Sequence, residues 1–211
     1  MKKFKNLIIA CDGESASGKS TAARLISKKY KLLLINSGLL YRYASKEIIN
    51  NNPKNDISFL KKIFKNISYK KIAKLNLHSE QISNHVAHLA KKKDVRKIIN
   101  IFQKKLIKKN KRICVEGRDI ASKILVKNPK YDLAFYFKCN VKVASYRRWL
   151  DLKKKISLKN VRKSLNKRTL MDKKRKNSPL VKVKDAILIR TDRLNKKQVL
   201  SKMSNYIEKL N

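Results

Sequence analysis

The chain has 211 residues, of which 42% are hydrophobic, so it can bury the core of one ordinary domain and is not disordered as a whole. Lysine and arginine number 56 against 14 aspartates and glutamates, and the formal net charge is +42. The basic residues are spread along the whole chain and form no separate basic arm, which favours solvated helix faces over a dedicated nucleic-acid surface.

The lengths of the apolar segments indicate whether the chain crosses a membrane or is secreted. The longest are far shorter than the roughly 18 residues of a membrane span, so we expect no transmembrane helix and no membrane partner. Residues 7–11 form only a short apolar run, and cleavage there would destroy the motif that follows, so we expect a cytoplasmic protein without a signal peptide. Three isolated cysteines favour reduced core thiols over a metal or redox site: Cys11, Cys114 and Cys139.

Apolar runs alternate with amphipathic segments along the chain. In order, the patterns predict a strand at 6–11, a helix at 18–29, a strand at 31–35, a turn at 36–38 and a helix to about 49. Next come helices at 57–66, 80–90 and 94–109, with short strands expected just before Leu77. Strands at 112–116, 131–138 and 185–190 then alternate with helices at 141–154, 159–176 and 196–210. This order predicts an α/β fold, a parallel sheet with helices on both faces.

The loop after the first predicted strand has the pattern G-x-x-x-x-G-K-[ST]. Its glycines allow successive N–H groups to approach phosphate oxygens, and the helix that follows adds its positive end. Lys19 is expected against the β- and γ-phosphates, and the Ser20 hydroxyl is the expected ligand of Mg²⁺. A strand before the motif and a helix after it distinguish it from a chance turn. We therefore predict that a nucleoside triphosphate, ATP or GTP, binds at Gly13, Glu14, Ser15, Ala16, Ser17, Gly18, Lys19, Ser20 and Thr21.

This phosphate-binding loop, the P-loop, does not by itself define a reaction. We find neither the strand ending in aspartate that GTPases and motor ATPases usually carry nor a base-reading motif. A small kinase acting on a small acceptor fits the short chain better. Such an enzyme needs a second anion pocket facing the γ-phosphate, with arginines over the transferred group.

Five segments resemble the bacterial cytidylate kinase family, in the same order along nearly the whole chain. They are DGESASGKST at 12–21, NSGLLYR at 36–42, EGRD at 116–119, SPL at 178–180 and DAILI at 185–189. The resemblance implies a P-loop NTPase fold in a single domain over residues 1–211. Within it, a segment at about 37–97 would bind the nucleoside monophosphate (NMP), and a mobile lid would lie at about 148–170. The implied enzyme is a monomer that transfers the γ-phosphoryl group of Mg-ATP to CMP or dCMP.

The resemblance also implies roles for single residues. Ser37 and Arg42 would bind the acceptor nucleotide, since a guanidinium can grip a phosphate through two hydrogen bonds. Arg96 and Arg118 would meet phosphate, and Asp119 would meet the acceptor sugar.

A further set lies near the predicted lid. Arg168, Asp172 and Arg175 recur at i, i+4 and i+7, which predicts one helix face. By resemblance, Asp172 contacts the cytosine amino group and ribose region while the arginines approach the phosphates. The implied catalytic residues are Lys19, Arg118, Arg168 and Arg175.

The chain departs from the family pattern at a few positions. Residues 87–96 resemble the family's insert helix that contacts the cytosine, but Ala87 stands where the family usually has serine. His78 stands where it usually has arginine. Acids that usually precede Asp172 are replaced here by Thr169, Leu170 and Met171.

Two other functions stay open. The first is a kinase for another small acceptor, such as another NMP, shikimate or dephospho-coenzyme A, which the acceptor segments disfavour. The second is a basic nucleic-acid-binding protein with a vestigial P-loop, whose binding would weaken steeply with salt. Aromatic side chains are not interleaved at a spacing suited to base stacking, so we expect no specific nucleic-acid partner.

Overall fold

A computed structural model describes residues 4–77 and 79–210. The strands are β1 (Leu7–Gly13), β2 (Leu33–Asn36), β3 (Arg112–Glu116), β4 (Leu133–Lys138) and β5 (Ile187–Arg190). The helices are α1 (Lys19–Tyr30), α2 (Ser37–Asn51), α3 (Asp56–Asn66), α4 (Tyr69–Lys74), α5 (Glu80–Leu89), α6 (Lys93–Lys108), α7 (Val141–Asp151), α8 (Leu158–Lys174) and α9 (Lys196–Glu208). A π-helical turn lies at Ile120–Ile124.

The strands form one sheet in the order β2-β3-β1-β4-β5. β1 pairs in parallel with β3 and β4, and β4 pairs in parallel with β5. Parallel neighbours need crossover connections, which the helices between the strands supply. The predicted α/β fold with a parallel sheet is confirmed. The register places Cys11 beside Glu116 and Gly13 beside Phe137, so the carboxyl ends of three strands meet around the P-loop.

The central strand is buried on both faces. Leu7 and Ile9 belong to a core cluster with α1 and α9, in which Ile26 and Met203 are fully buried. Ala10 points to the opposite face and is also fully buried. Two-sided burial explains why β1 reads as a continuous apolar run and not as an alternating pattern.

The three cysteines are free thiols with buried side chains, as expected from their surroundings. The Sγ atoms of Cys11 and Cys114 lie 3.8 Å apart in the core. Their hydrogen bond and their burial raise the pKa of the Cys11 thiol, which keeps it protonated and unreactive.

The chain divides into two compact units. Unit 1 comprises the described residues of Met1–Ile35 and Asn110–Asn211, and it holds the sheet with α1, α7, α8 and α9. Unit 2 is Asn36–Lys109 and is helical. In unit 2 the ring of Phe64 packs edge-on between Tyr43 and Phe102, at centroid distances of 5.6 and 5.2 Å.

The local expectation before Leu77 was wrong. We expected short strands there, and the structure has the helix α4. Its first turn is capped by the Ser68 side chain, which accepts a hydrogen bond from the Lys71 amide. Tyr69 and Ile72, three residues apart, form its buried face. The segment is too short to show helical periodicity clearly, whereas its serine cap was readable in the sequence.

Smaller differences occur at two turns. The turn expected at 36–38 is shortened, because α2 starts directly at Ser37 and the Asn36 side chain caps it by accepting from the Leu39 amide. The π-helical turn after β3 was not expected from the sequence. Among the described residues, no helix combines the length and the apolar character that a membrane crossing requires.

Gly13 gives a test of the junction between β1 and β4. A Cβ atom at this position would lie 2.4 Å from the carbonyl oxygen of Phe137, a backbone atom that cannot move aside cheaply. Gly13→Ala should therefore lower the free energy of unfolding by about 1–3 kcal/mol, measured by urea denaturation. Gly18→Ala is the comparison, because its Cβ would meet only Thr191 at 3.8 Å and its cost is limited to the left-handed backbone. An unchanged unfolding midpoint in Gly13→Ala would contradict the close approach.

Candidate active site

The P-loop joins β1 to α1 in unit 1. Gly18, the residue before α1, is left-handed at φ 79°, and Ala16 also has a positive φ of 54°. Left-handed residues among right-handed ones turn successive N–H groups into a concave nest that favours anions. The N-terminus of α1 follows directly, so its unpaired N–H groups add to the same positive end.

Lys19 and Ser20 share one carboxylate. The Lys19 ammonium lies 3.8 Å from Oε2 of Glu116, and the Ser20 hydroxyl donates to Oε1 at 2.9 Å. Burial lowers the pKa of Lys19 to about 8, which the Glu116 carboxylate opposes. The positive charges of Arg118 and Arg168 lower this pKa further, so both guanidinium groups act on Lys19 electrostatically. Glu116 therefore positions both Lys19 and Ser20 of the P-loop.

Glu116 was not assigned a role by sequence reasoning. It is the last residue of β3, and parallel pairing with β1 brings it to the P-loop. Its Oε2 atom is buried and accepts no hydrogen bond within the described part of the chain. The signal that could have found it is an acid at the end of an apolar strand, the position at which other P-loop proteins usually carry aspartate.

Asp12 is a second acid that the sequence reasoning left without a role. Its carboxylate accepts from the Ile120 amide at 2.9 Å and from the Ala121 amide at 2.8 Å. Burial raises the pKa of Asp12 to about 6, although these two hydrogen bonds lower it. Asp12 thereby fixes the π-helical turn directly after Arg118 and Asp119, and with it the backbone that carries those two side chains.

The structure brings four of the predicted acceptor residues together in unit 1. Arg118 Nε donates to Oδ2 of Asp172 at 2.8 Å. The two end nitrogens of Arg175 lie 3.4 Å from Oδ1 of Asp172 and 3.5 Å from Oδ1 of Asp119. We call these four residues the arginine–aspartate cluster. Paired in this way, the guanidinium groups are held in fixed orientations.

One expectation about this region was wrong. Arg168 and Asp172 lie on α8, but the helix ends at Lys174, and Arg175 is extended at φ −65°, ψ 136°. The chain turns here because the Arg175 side chain bonds the Ser178 carbonyl, while the Leu180 amide bonds the carbonyl of Asp172 at 2.8 Å. Arg175 therefore reaches Asp172 from beyond the helix end and not along a shared helix face.

Of the other predicted acceptor residues, Arg168 lies on α8 in unit 1 and three lie in unit 2. Ser37 is the first residue of α2 and is buried. Arg42 donates to the Leu77 carbonyl at 2.9 Å and to the Ser83 hydroxyl at 3.0 Å. These contacts tie α2 to the start of α5.

Arg96, on α6, is the third of them. It is buried, donates to the Ala90 carbonyl at 3.3 Å and lies over the Tyr41 ring at 5.6 Å. Residues 87–96, which resemble the family's insert helix, form the end of α5, a turn and the start of α6, in agreement with the helices predicted at 80–90 and 94–109. Ala87 lies in the last turn of α5, and His78 lies outside the described residues.

Side chains beyond the predicted set contact the P-loop. The Ser15 amide donates to the Thr169 hydroxyl of α8 at 3.3 Å, and Lys173 of α8 lies 2.7 Å from Oε1 of Glu14. From the other side, the Thr191 hydroxyl donates to the Ser17 carbonyl at 3.0 Å. The sequence offered little signal for these residues, because their role depends on which helix and loop pack beside the P-loop.

Arg147 supports the loop that carries Thr191. Its guanidinium donates to the Thr191 carbonyl at 2.9 Å and to the Asp192 carbonyl at 3.3 Å. Through Thr191, α7 is therefore linked to the P-loop backbone.

The P-loop follows the central strand of a parallel sheet, and the charges of Arg118 and Arg168 act on its lysine. This arrangement is that of a phosphotransferase with the P-loop NTPase fold. The model of the family described as "Cytidylate kinase" matches residues 9–209. The chain belongs to the cytidylate kinase family, as the motif resemblance predicted. Membership makes it an enzyme of the NMP kinase class.

Curated relatives agree with the family model. The chain is 32% identical to the cytidylate kinase of Rickettsia akari over 211 residues, which cover 97% of this chain and 93% of the relative. It is 31% identical to that of Fusobacterium nucleatum, with 97% and 99% covered.

Solved structures support the fold. An uncharacterized protein from Eubacterium ventriosum aligns with a TM-score of 0.58 at 16% identity, covering 97% of this chain and 99% of that one. TT1252 from Thermus thermophilus aligns with a TM-score of 0.53 at 14% identity, covering 98% of each chain. At these identities the likeness concerns the fold alone.

The raised pKa of Asp12 predicts a pH dependence of stability. Between pH 4 and 6 the folded state keeps a proton on Asp12 that the unfolded state has lost, so stability from this group falls as pH rises through that window. Asp12→Asn cannot ionise. Its free energy of unfolding, relative to wild type, should therefore rise between pH 4 and 6 by about 2–3 kcal/mol and then stay constant.

Urea unfolding at several pH values measures this difference. The Asp12 carboxylate accepts two backbone hydrogen bonds, and an asparagine side chain has only one acceptor oxygen. Asp12→Asn therefore also loses stability by an amount that does not depend on pH. Asp151→Asn, at an exposed position of α7, controls for the loss of one negative charge. A difference between Asp12→Asn and wild type that is flat from pH 4 to 7 would contradict the burial of an ionisable Asp12.

Proposed function

We propose that this enzyme transfers the γ-phosphoryl group of ATP to CMP and dCMP, giving ADP with CDP or dCDP. Family membership supports the acceptor class. The observation that carries the proposal is the arginine–aspartate cluster, because Arg118 is held by Asp172 while its charge also acts on Lys19 of the P-loop. A positive group shared by donor and acceptor sides is what phosphoryl transfer between two nucleotides requires.

On the donor side, we assign the ATP phosphates to residues 13–21. Lys19, whose pKa is about 8, carries its charge at neutral pH and is already placed beside the loop. Glu116 keeps the ammonium beside the loop at 3.8 Å, which is longer than a hydrogen bond, so the ammonium can also meet a phosphate oxygen. Burial strengthens that attraction, since the local dielectric is lower than in water.

Magnesium fits this site as an ion brought by ATP. Mg²⁺ keeps several waters and uses only one or two protein oxygens together with substrate phosphates. No group of three or more histidines, cysteines or carboxylates among the described residues could hold a metal alone. The Ser20 hydroxyl and the Glu116 carboxylate, whose Oε2 accepts no hydrogen bond from the described residues, offer the required oxygens. Bound there with ATP, the ion would neutralise phosphate charge.

On the acceptor side, the residues divide by chemistry. We assign the CMP phosphate to Arg42, Arg96 and Arg118, since guanidinium groups match phosphate oxygens. Asp119 would accept from the sugar hydroxyl and Asp172 from the cytosine amino group.

The carboxylate of Asp172 has the capacity for this contact. It accepts from Arg118 and Arg175 in the structure, and a carboxylate offers about four acceptor positions. A buried Ser37 hydroxyl at the start of α2 completes the proposed acceptor set.

The transfer needs no general base. The attacking atom is an oxygen of the CMP phosphate, which is already anionic. A bond forms between this oxygen and the γ-phosphorus, and the bond to the oxygen bridging the β-phosphate breaks. The work of Lys19, Arg118, Arg168 and Arg175 is alignment and charge neutralisation.

The proposed organisation follows the same division. We assign NMP binding to residues 37–97, which fall in unit 2, and the lid to residues 148–170, from the end of α7 into α8. Lid closure would exclude water and suppress ATP hydrolysis. A monomeric state and a cytoplasmic location stay predictions.

An acceptor panel tests the proposed reaction. ADP release is measured with ATP and magnesium against CMP, dCMP, UMP and AMP at matched concentrations. We expect CMP and dCMP to give the highest kcat/KM. Equal rates with AMP and CMP would refute the cytidylate assignment and leave NMP kinase activity standing.

Removing the P-loop ammonium tests the donor side. Lys19→Ala should lower kcat by about 10²–10³-fold, because the charge is used in the transition state. Lys28→Ala removes the same charge from an exposed position near the end of α1 and should keep wild-type turnover. Circular dichroism checks the fold of both variants. Near-normal turnover in a folded Lys19→Ala protein would contradict the assignment.

A further inference from the structure

We propose that Lys173 is a positioning residue of the ATP site, which neutralises the carboxylate of Glu14 within the P-loop and so allows the loop to accept phosphates. This inference deepens the proposed function and rests on it. The residues concerned are Glu14 of the loop and Lys173, the next-to-last residue of α8.

Glu14 places a negative charge in a loop built for anions. It directly follows Gly13, and its side chain is only 12% exposed. Its backbone is held on both sides, since its amide donates to the Phe137 carbonyl at 3.0 Å and its carbonyl accepts from the Ser17 amide at 3.4 Å. The carboxylate therefore cannot move far from the phosphate nest, and unpaired it would repel a triphosphate.

The negative potential of Glu14 is visible at a neighbouring side chain. Burial, followed by the charges of Glu14 and Asp12, raises the pKa of Tyr136 to about 12. Tyr136 lies on β4 beside Asp12 in the sheet register. The Glu14 carboxylate thus lies near buried groups beside the loop, and it is itself only 12% exposed.

Lys173 supplies the compensating charge. Its ammonium lies 2.7 Å from Oε1 of Glu14. One helical turn earlier, Thr169 accepts from the Ser15 amide at 3.3 Å, so α8 contacts two consecutive residues of the loop through side chains at i and i+4. This second contact fixes which face of α8 meets the loop and distinguishes Lys173 from a lysine that only adds to the overall charge.

The pairing has a specific consequence. If Lys173 acts through Glu14, its removal weakens nucleotide binding only while Glu14 carries a charge. If Lys173 touches phosphate itself, its removal weakens binding whatever stands at position 14. A double-mutant cycle separates the two cases.

The experiment uses wild type, Glu14→Gln, Lys173→Ala, the double variant and Lys174→Ala. The last removes the same charge from the next, exposed residue of α8 and controls for the overall field. Dissociation constants for adenylyl imidodiphosphate with magnesium are measured by calorimetry at two salt concentrations, and KM values are measured for ATP and CMP. Urea unfolding confirms that each variant is folded.

We expect Lys173→Ala to weaken analogue binding roughly three- to fivefold, the upper end of what a partly exposed ion pair contributes, and to raise KM for ATP but not for CMP. In the Glu14→Gln background the same change should cost less than about twofold. Glu14→Gln alone should bind as tightly as wild type or more tightly. Additive effects, weaker binding by Glu14→Gln, or an equal loss in Lys174→Ala would each overturn the inference.

The failure of this inference is distinguishable from that of the proposed function. Analogue binding needs no turnover, so the cycle remains readable in a protein that does not phosphorylate CMP, and that result would refute the proposed function alone. Conversely, normal CMP phosphorylation by wild type with an additive cycle would refute the role of Lys173 alone.

Discussion

Parallel pairing of β1 with β3 places the carboxylate of Glu116 against the first turn of α1, and the site is organised from that contact. Because Cys11 and Glu116 are register partners, the end of β3 cannot move away from the P-loop without breaking the centre of the sheet. The same carboxylate accepts from Ser20 and attracts Lys19. The buried centre of the sheet is thus coupled to the two loop residues that we propose bind the phosphates and the magnesium ion.

Acidic side chains organise the basic ones. The chain has 56 lysines and arginines and only 14 acids. Two of these acids, Asp172 and Asp119, form ion pairs with Arg118 and Arg175. Pairing costs part of the attraction that a guanidinium could offer a ligand. It also fixes the orientation of the guanidinium group before the ligand arrives, and fixed charge contributes more to a transition state than mobile charge does. The cluster therefore favours alignment over raw affinity.

The fold and the P-loop could be predicted from sequence because their signals are local. Buried strands read as apolar runs, and the glycine spacing before Lys19 depends on the backbone of one loop. The positions of Arg118 and Asp172 came from family motifs and not from periodicity. Glu116, Asp12 and Lys173 were missed because each acts through a neighbour distant in sequence, which register and helix packing decide. Arg175 was wrongly predicted to share a helix face with Arg168 and Asp172. The helix ends before it because of hydrogen bonds that involve Ser178 and Leu180, which periodicity does not reveal.

The large positive charge does not replace these placed interactions. Most of the lysines lie exposed on helices, where a charge is screened beyond about 8–10 Å at ordinary salt. Such a field can draw nucleotides towards the surface, but it does not discriminate between one phosphate position and another. Discrimination needs charges that are buried and held, as Lys19 is by Glu116 and Arg118 is by Asp172. In the proposed site, the few acids of the chain therefore do more than its many lysines to determine where a phosphate would bind.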